Sequence, residues 1–319
     1  MRVLLTGSSG WLGRFLGPRL KAAGHSVVGV DVAAGPETSV IGSVSDRALI
    51  DRLFGEFGIE AVIHCGALHK PDIVRYPAQA FIDVNVSGTL NLLEAAVHAK
   101  HDRFVFTSST SLMITTAIRE EAGETAVWLD EASGPLAPRN IYGVTKLSAE
   151  ELCRLAHLEH GLNCVVLRTS RFFPEEDDTL DHVPGPNLKA NEFLNRRLTV
   201  EDAADAHIIA LEKAPTLGFD TFVISAPPPF ARSDIKALKH DAARVVAGYF
   251  PDAEELYARR NWTLPHGIGR VYDPSKAERL LGFRCKTDFA SILKALREGA
   301  ELPFAHDPDY MPPKELRAR

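Results

Sequence analysis

Tyr142 and Lys146 stand four residues apart in Tyr142-Gly143-Val144-Thr145-Lys146, a spacing that puts both side chains on one helical face. An ammonium beside a phenol lowers its proton affinity, so the pair is suited to taking a proton from a hydroxyl. Ser109 follows the apolar stretch Arg103–Thr107, and a hydroxyl at the tip of a neighbouring parallel strand can reach the same point. Tyr142 would accept the proton, Ser109 would bond the same oxygen, and Lys146 would favour the phenolate. Each motif also has a plain structural reading: YxxxK arises by chance in helices, and Ser/Thr-rich strand ends serve turns.

Oxidising an alcohol needs a hydride carrier. Thr6-Gly7-Ser8-Ser9-Gly10-Trp11-Leu12-Gly13 is a GxxGxxG between the apolar run Arg2–Thr6 and the helical pattern of Trp11–Ala23. Glycines let the backbone approach a pyrophosphate, and the helix N-terminus behind them offers N–H groups and a positive dipole end. Asp31 lies at the end of Val27–Val32, where a carboxylate accepts both adenosine-ribose hydroxyls and repels a 2′-phosphate. Val32-Ala33-Ala34 supply no Arg or Lys, which favours NAD over NADP. Alone, the glycines make a tight strand–helix turn and Asp31 a solvated strand end. Together they point to a dinucleotide, whose nicotinamide ribose Lys146 would hold.

The elements that must position these groups alternate along the chain. Apolar runs at Arg2–Thr6, Val27–Val32, Ala61–Cys65, Arg103–Thr107 and Cys164–Arg168 read as buried strands. Helical patterns lie between them at Trp11–Ala23, Leu49–Phe57, Pro77–Ala99 and Tyr142–His160, the last expected to turn Leu147, Leu152, Leu155 and Leu158 inward. This rhythm implies an α/β fold, a Rossmann-type doubly wound parallel sheet. After Arg168 the chain becomes rich in Pro and Asp, which predicts a smaller, mostly helical C-terminal lobe for substrate. Residues 1–168, with 196–225 returning, are assigned to the NAD-binding domain; 169–195 and 226–319 are assigned to the substrate lobe.

The 319 residues carry 36 basic and 42 acidic side chains, a net charge of −6. That balance argues against nucleic acid or an anionic membrane as the main partner. Hydrophobic residues make up 45%, as in ordinary globular proteins. Cys65, Cys153, Cys164 and Cys285 form no CxxC pair, and the 12 histidines form no HxxxH or HExxH. Neither a disulfide framework nor a metal site is expected, and a reducing cytoplasm fits. No stretch has the length of a membrane span, and Met1–Gly24 lacks a continuous signal-peptide core.

With these motifs in order, the sequence resembles the extended short-chain dehydrogenases/reductases of the NAD-dependent epimerase/dehydratase family, in the pattern of its nucleotide-sugar epimerases. The likeness extends through Gly42-Ser43-Val44-Ser45-Asp46, His64-Cys65-Gly66-Ala67, Asn85-Val86-Ser87-Gly88-Thr89, Leu198–Ala206 and Val271–Ala277. The resemblance implies cofactor contacts at Gly7, Gly10, Trp11, Leu12, Gly13, Asp31, Ser43, Val44, Cys65, Gly66, Ala67, Asn85, Thr107, Tyr142, Lys146 and Ser170. It implies catalytic roles for Ser109, Tyr142 and Lys146, and substrate contacts at Ser109, Thr110, Asn187 and Leu188. It also implies a homodimer built on Asn85–Ala99 and Tyr142–His160.

Departures from the family pattern bear on substrate. Thr110 and Ser111 stand where dehydratases carry an Asp-Glu pair, which disfavours dehydration. Arg171 replaces a substrate-binding asparagine; its guanidinium suits a carboxylate or phosphate, or else an ion pair with Glu175 or Glu176. The diphosphate-binding glycine turn is missing, with only Arg196-Arg197 nearby, and an insertion through Trp128 is expected to border the pocket. The leading expectation is an NAD-dependent sugar-modifying enzyme, a nucleotide-sugar epimerase that oxidises a secondary hydroxyl and returns the hydride to the rotated ketone. The alternative is a net dehydrogenase or reductase of a smaller sugar, alcohol or carboxylated substrate. A non-catalytic dinucleotide sensor is the third reading.

Overall fold

A computed structural model describes residues 1–174 and 183–304. In chain order the first half runs β1 (Arg2–Thr6), α1 (Trp11–Ala22), β2 (Ser26–Asp31), β3 (Val40–Ile41), α2 (Arg47–Phe57), β4 (Ala61–His64), α3 (Ala78–Phe81), α4 (Gly88–His98), β5 (Phe104–Ser109), α5 (Thr116–Arg119), β6 (Val127–Leu129) and α6 (Ile141–His160). There follow β7 (Cys164–Thr169), α7 (Gly185–Glu192), α8 (Val200–Leu217), β8 (Phe219–Ile224), α9 (Ile235–His240), α10 (Ala242–Tyr249), α11 (Ala253–Ala258), β9 (Arg270–Tyr272) and α12 (Phe289–Glu298).

Seven parallel strands form the main sheet in the order β3-β2-β1-β4-β5-β7-β8, the doubly wound α/β fold that the alternation predicts. Because successive side chains point to opposite faces, Leu4, Val62, Phe106 and Val166 pack under α2, α4 and α6. Val3, Leu5, Ile63 and Val105 pack against α1 and α8. Strand order reverses between β1 and β4, and the crevice outside the carboxyl ends of the strands there is where such sheets bind ligands.

One sequence expectation changes: Leu155 and Leu158 are exposed, at 42% and 65%, and the buried face of α6 is small and polar, with Lys146, Ala149, Glu150 and Cys153. Leucine spacing alone cannot tell which helical stripe meets the sheet. Pro77–Ala99 is a long helical region as expected, with α3 and α4 joined by a π-helical segment, Ile82–Ser87. The insertion is tied into the fold: β6 pairs in parallel with β9, and Ala126 enters the core of the C-terminal helices. No described helix is long and apolar enough to cross a membrane.

Candidate active site

The glycine turn is forced by close approach. Gly7 has φ +73°, and a Cβ there would lie 2.8 Å from the Gly66 backbone nitrogen, so the tips of β1 and β4 could not come together. A Cβ on Gly13 would fall on the Gly7 carbonyl oxygen. Gly10 caps α1 without a side chain, and the first turn of that helix carries no acidic residue; a helix start of this kind favours an anion. Both Asp31 oxygens accept backbone N–H groups, Oδ2 from Ser9 at 3.0 Å and Oδ1 from Ala33 at 3.0 Å. Asp31 thus ties the end of β2 to the turn. Asp31→Ala is therefore expected to weaken NAD binding by about tenfold and to relax discrimination against NADP; equal NAD affinity in a fluorescence titration would remove Asp31 from the ribose.

At the other end, β5 terminates on Ser109, and α6 begins beside it, with the Asn140 side chain capping the N–H of Gly143 at 2.9 Å. Tyr142, in the first turn, is buried, with Ser109 close by. Ser109 Oγ accepts the Ser111 N–H at 3.1 Å, and its own proton stays available to a second oxygen. Burial pushes the Tyr142 phenol up to about 12; the Ser109 hydroxyl works against this and the charge of Asp72 adds to it. Here the sequence expectation is corrected. Lys146 does not hold the phenol down in this structure, because its Nζ donates to the Thr107 carbonyl at 2.8 Å and lies over the Phe106 ring.

Buried groups brace this arrangement. Glu150, two turns after Tyr142, accepts from Ser108 Oγ at 2.5 Å and from Arg168 Nη2 at 2.7 Å, locking β5 and β7 to α6. His207 Nδ1 meets the Ala203 carbonyl at 2.7 Å and its Nε2 meets Thr107 Oγ1 at 2.7 Å. Since a carbonyl only accepts, Nδ1 carries the proton and Thr107 donates; burial lowers this imidazole to about 4, keeping it neutral. His64, lowered to about 3 by burial and then Lys146, links Thr6 and Thr89. Asn85 uses its amide to join Leu68 to Thr145. Sequence reading gave none of these bracing roles to Glu150, Arg168 or His207, since the partners lie on different elements.

On the substrate side, His69 lies between the rings of Tyr142 and Phe173, at centroid distances of 6.2 and 5.3 Å, and buried Asp72 accepts its N–H. Arg171 Nε lies 3.7 Å from Glu192, which also pairs with Arg196 and Arg197; Glu175 and Glu176 fall outside the described residues. The Asn187 amide bonds both backbone groups of Thr263, and Asn187 and Leu188 are both buried. Thr110 donates to the Thr169 carbonyl at 3.3 Å. Ser170 Oγ, just past β7, is buried without a hydrogen-bond partner. Among the described residues no three His, Cys, Asp or Glu side chains gather as metal ligands.

Comparison with known proteins agrees with this geometry. The chain is 31% identical over 179 residues to a UDP-glucose 4-epimerase of Azospirillum brasilense, a match spanning 52% of this chain and 48% of that enzyme. It is 26% identical over 323 residues to the UDP-glucose 4-epimerase of Lactobacillus helveticus, covering 90% of this chain and 92% of the other. The fold superposes on the crystal structure of UDP-glucose 4-epimerase from Brucella ovis in complex with NAD, with TM-score 0.64, 20% identity and coverage of 94% and 99%. Residues 3–187 match the sequence profile of the NAD dependent epimerase/dehydratase family. Glycine cradle, strand-end serine and tyrosine-led helix thus fall where that profile runs, and the chain belongs to the NAD dependent epimerase/dehydratase family.

Proposed function

We propose that this enzyme oxidises a secondary hydroxyl of a nucleotide-linked sugar with NAD and returns the hydride to the other face, as a nucleotide-sugar epimerase. The observation that carries the reading is that β5 ends on Ser109 beside the first turn of α6, which holds the buried Tyr142, with Lys146 one turn further along the same helix. The residues fit a dinucleotide. The backbone of Gly7, Gly10, Trp11, Leu12 and Gly13 takes the pyrophosphate, and Asp31 takes the adenosine ribose. Ser43 and Val44 flank the adenine, Cys65, Gly66, Ala67 and Asn85 line the floor, and Thr107, Lys146 and the unsatisfied Ser170 hydroxyl serve the nicotinamide end. When bound, NAD supplies a hydride acceptor and a positive ring.

Ser109 orients the substrate hydroxyl and Tyr142 accepts its proton. Lys146 donates to the Thr107 carbonyl, and its ammonium would serve the ribose and favour the phenolate. A ketone retained and reduced on its other face is an epimer; a ketone released is an oxidation product. The second reading, a net dehydrogenase of a smaller or carboxylated substrate, draws on Arg197, which is buried on Glu192 and the Phe173 carbonyl and so is not available to a diphosphate. The assay mixes the protein, NAD and UDP- and dTDP-sugars. We expect epimer without net NADH; stoichiometric NADH instead selects the dehydrogenase, and intact NAD binding with no turnover leaves only a sensor.

The division of the chain into 1–168 with 196–225 for NAD, and 169–195 with 226–319 for substrate, is part of this proposal. So is a cytoplasmic homodimer. Leu90, Leu155 and Leu158 are exposed on the outer faces of α4 and α6, beside a groove of about 920 Å³, and all four thiols are free.

A further inference from the structure

Eight apolar side chains, Leu112, Met113, Ile118, Val127, Leu129, Leu136, Val223 and Tyr272, pack into one cluster beside the reaction centre. Around Val223 of β8 the cluster joins three segments far apart in sequence: the insertion after Ser109, the loop leading into α6, and β9. Each segment carries an arginine next to its contribution. Arg119 follows Ile118 at the end of α5. Arg139 immediately precedes Asn140, the cap of the helix that bears Tyr142. Arg270 opens β9 opposite Val127, with its Nε 3.3 Å from the Tyr272 hydroxyl. The loop before α6 is pressed against the catalytic side: a Cβ on Gly143 would lie 2.7 Å from the Pro138 side chain and 3.6 Å from the Leu112 backbone.

These guanidiniums lack carboxylate partners among the described residues. Glu121, two residues after Arg119, lies against Gly269 and is already paired with Lys239 at 2.9 Å. Arg139 is held below its ordinary value by partial burial first, then by Arg119 and Arg270, so its charged neighbours are both of its own sign. Three like charges gathered on a rigid apolar base repel one another in the free protein, and an oxyanion relieves that repulsion while accepting several charge-assisted hydrogen bonds.

We propose that Arg119, Arg139 and Arg270 seat an oxyanion carried by the substrate, a phosphoryl or a carboxylate group. The seat replaces the diphosphate turn that the chain lacks before α8, and it gives the insertion a function: without α5 and β6 one arginine and three side chains of the base, Ile118, Val127 and Leu129, are lost. The inference rests on the reading that the cleft takes a sugar substrate.

The test is calorimetric titration of NAD-saturated protein at low ionic strength with inorganic pyrophosphate and, separately, with galacturonate. Saturating NAD keeps both probes off the glycine turn. We expect at least one probe to bind, and Arg139→Gln and Arg270→Gln each to weaken it roughly tenfold with NAD affinity within about twofold. Pyrophosphate alone assigns a phosphoryl group and galacturonate alone a carboxylate; both outcomes support the seat. Binding of neither probe, or unchanged affinity in the glutamine variants, overturns it. Turnover is read in parallel: a protein that binds the probe through these arginines but converts no sugar retains the seat and loses the epimerase reading.

Discussion

Tyr142→Phe is expected to lower turnover by about 10²–10⁴-fold while leaving NAD affinity within about twofold. The substitution removes one oxygen and keeps the ring, which packs with Leu68 and Phe81, so the fold and the cofactor cleft should persist. What disappears is the hydroxyl proposed to receive the substrate proton. The pH dependence carries a sign. Burial and Asp72 both raise the phenol, so its basic form is scarce near neutrality and the rate should climb with pH. Asp72→Asn removes one of the two raising effects and should move that limb of the profile to lower pH. Stopped-assay rates for wild type and both variants check this; a Phe variant as active as wild type would remove the mechanism altogether.

Glu150→Ala is expected to cost about 3–5 kcal/mol of stability, because it strands a buried guanidinium. Glu150 and Arg168 are both nearly inaccessible, and the carboxylate holds Ser108 as well. Against a typical total of about 5–15 kcal/mol, that loss should bring the urea midpoint down severely. Replacing the pair together by Leu and Met should cost much less, since the unmatched charge is then gone. Ser108 is the residue before Ser109, so the double variant should fold yet turn over slowly, its strand tip no longer tied to α6. A single variant losing under about 1 kcal/mol would show that water or another acid satisfies Arg168.

Much of the architecture was legible because it is written in short-range patterns. Apolar runs of strand length between helical stretches gave the doubly wound sheet, and Gly7, Gly10 and Gly13 announced a turn where backbones touch. The same holds for Tyr142 and Lys146: helical geometry alone puts them on one side. Where long-range packing decides, the reading failed. Leu155 and Leu158 look like core residues but face outward, since a covering helix this close to the sheet needs Ala149 and Cys153 at the contact. That the Asn187 amide would bond Thr263, 76 residues away, could not be read from the sequence either.

By itself the sequence determined the cofactor, the family and the side chains proposed to react, because each depends on residue types at fixed short spacing. Tertiary structure alone decided which groups hold those side chains still and what surrounds the substrate. Lys146 sits on the Thr107 carbonyl, His207 fixes the Thr107 hydroxyl, Glu150 bridges β5 to β7, and the insertion closes onto β9. The physical reason is that a hydrogen bond or an ion pair depends on distance in space and carries no record of separation along the chain. A buried charge finds its partner only once the sheet has brought distant strands together, and that pairing sets the geometry in which Tyr142 and Ser109 meet.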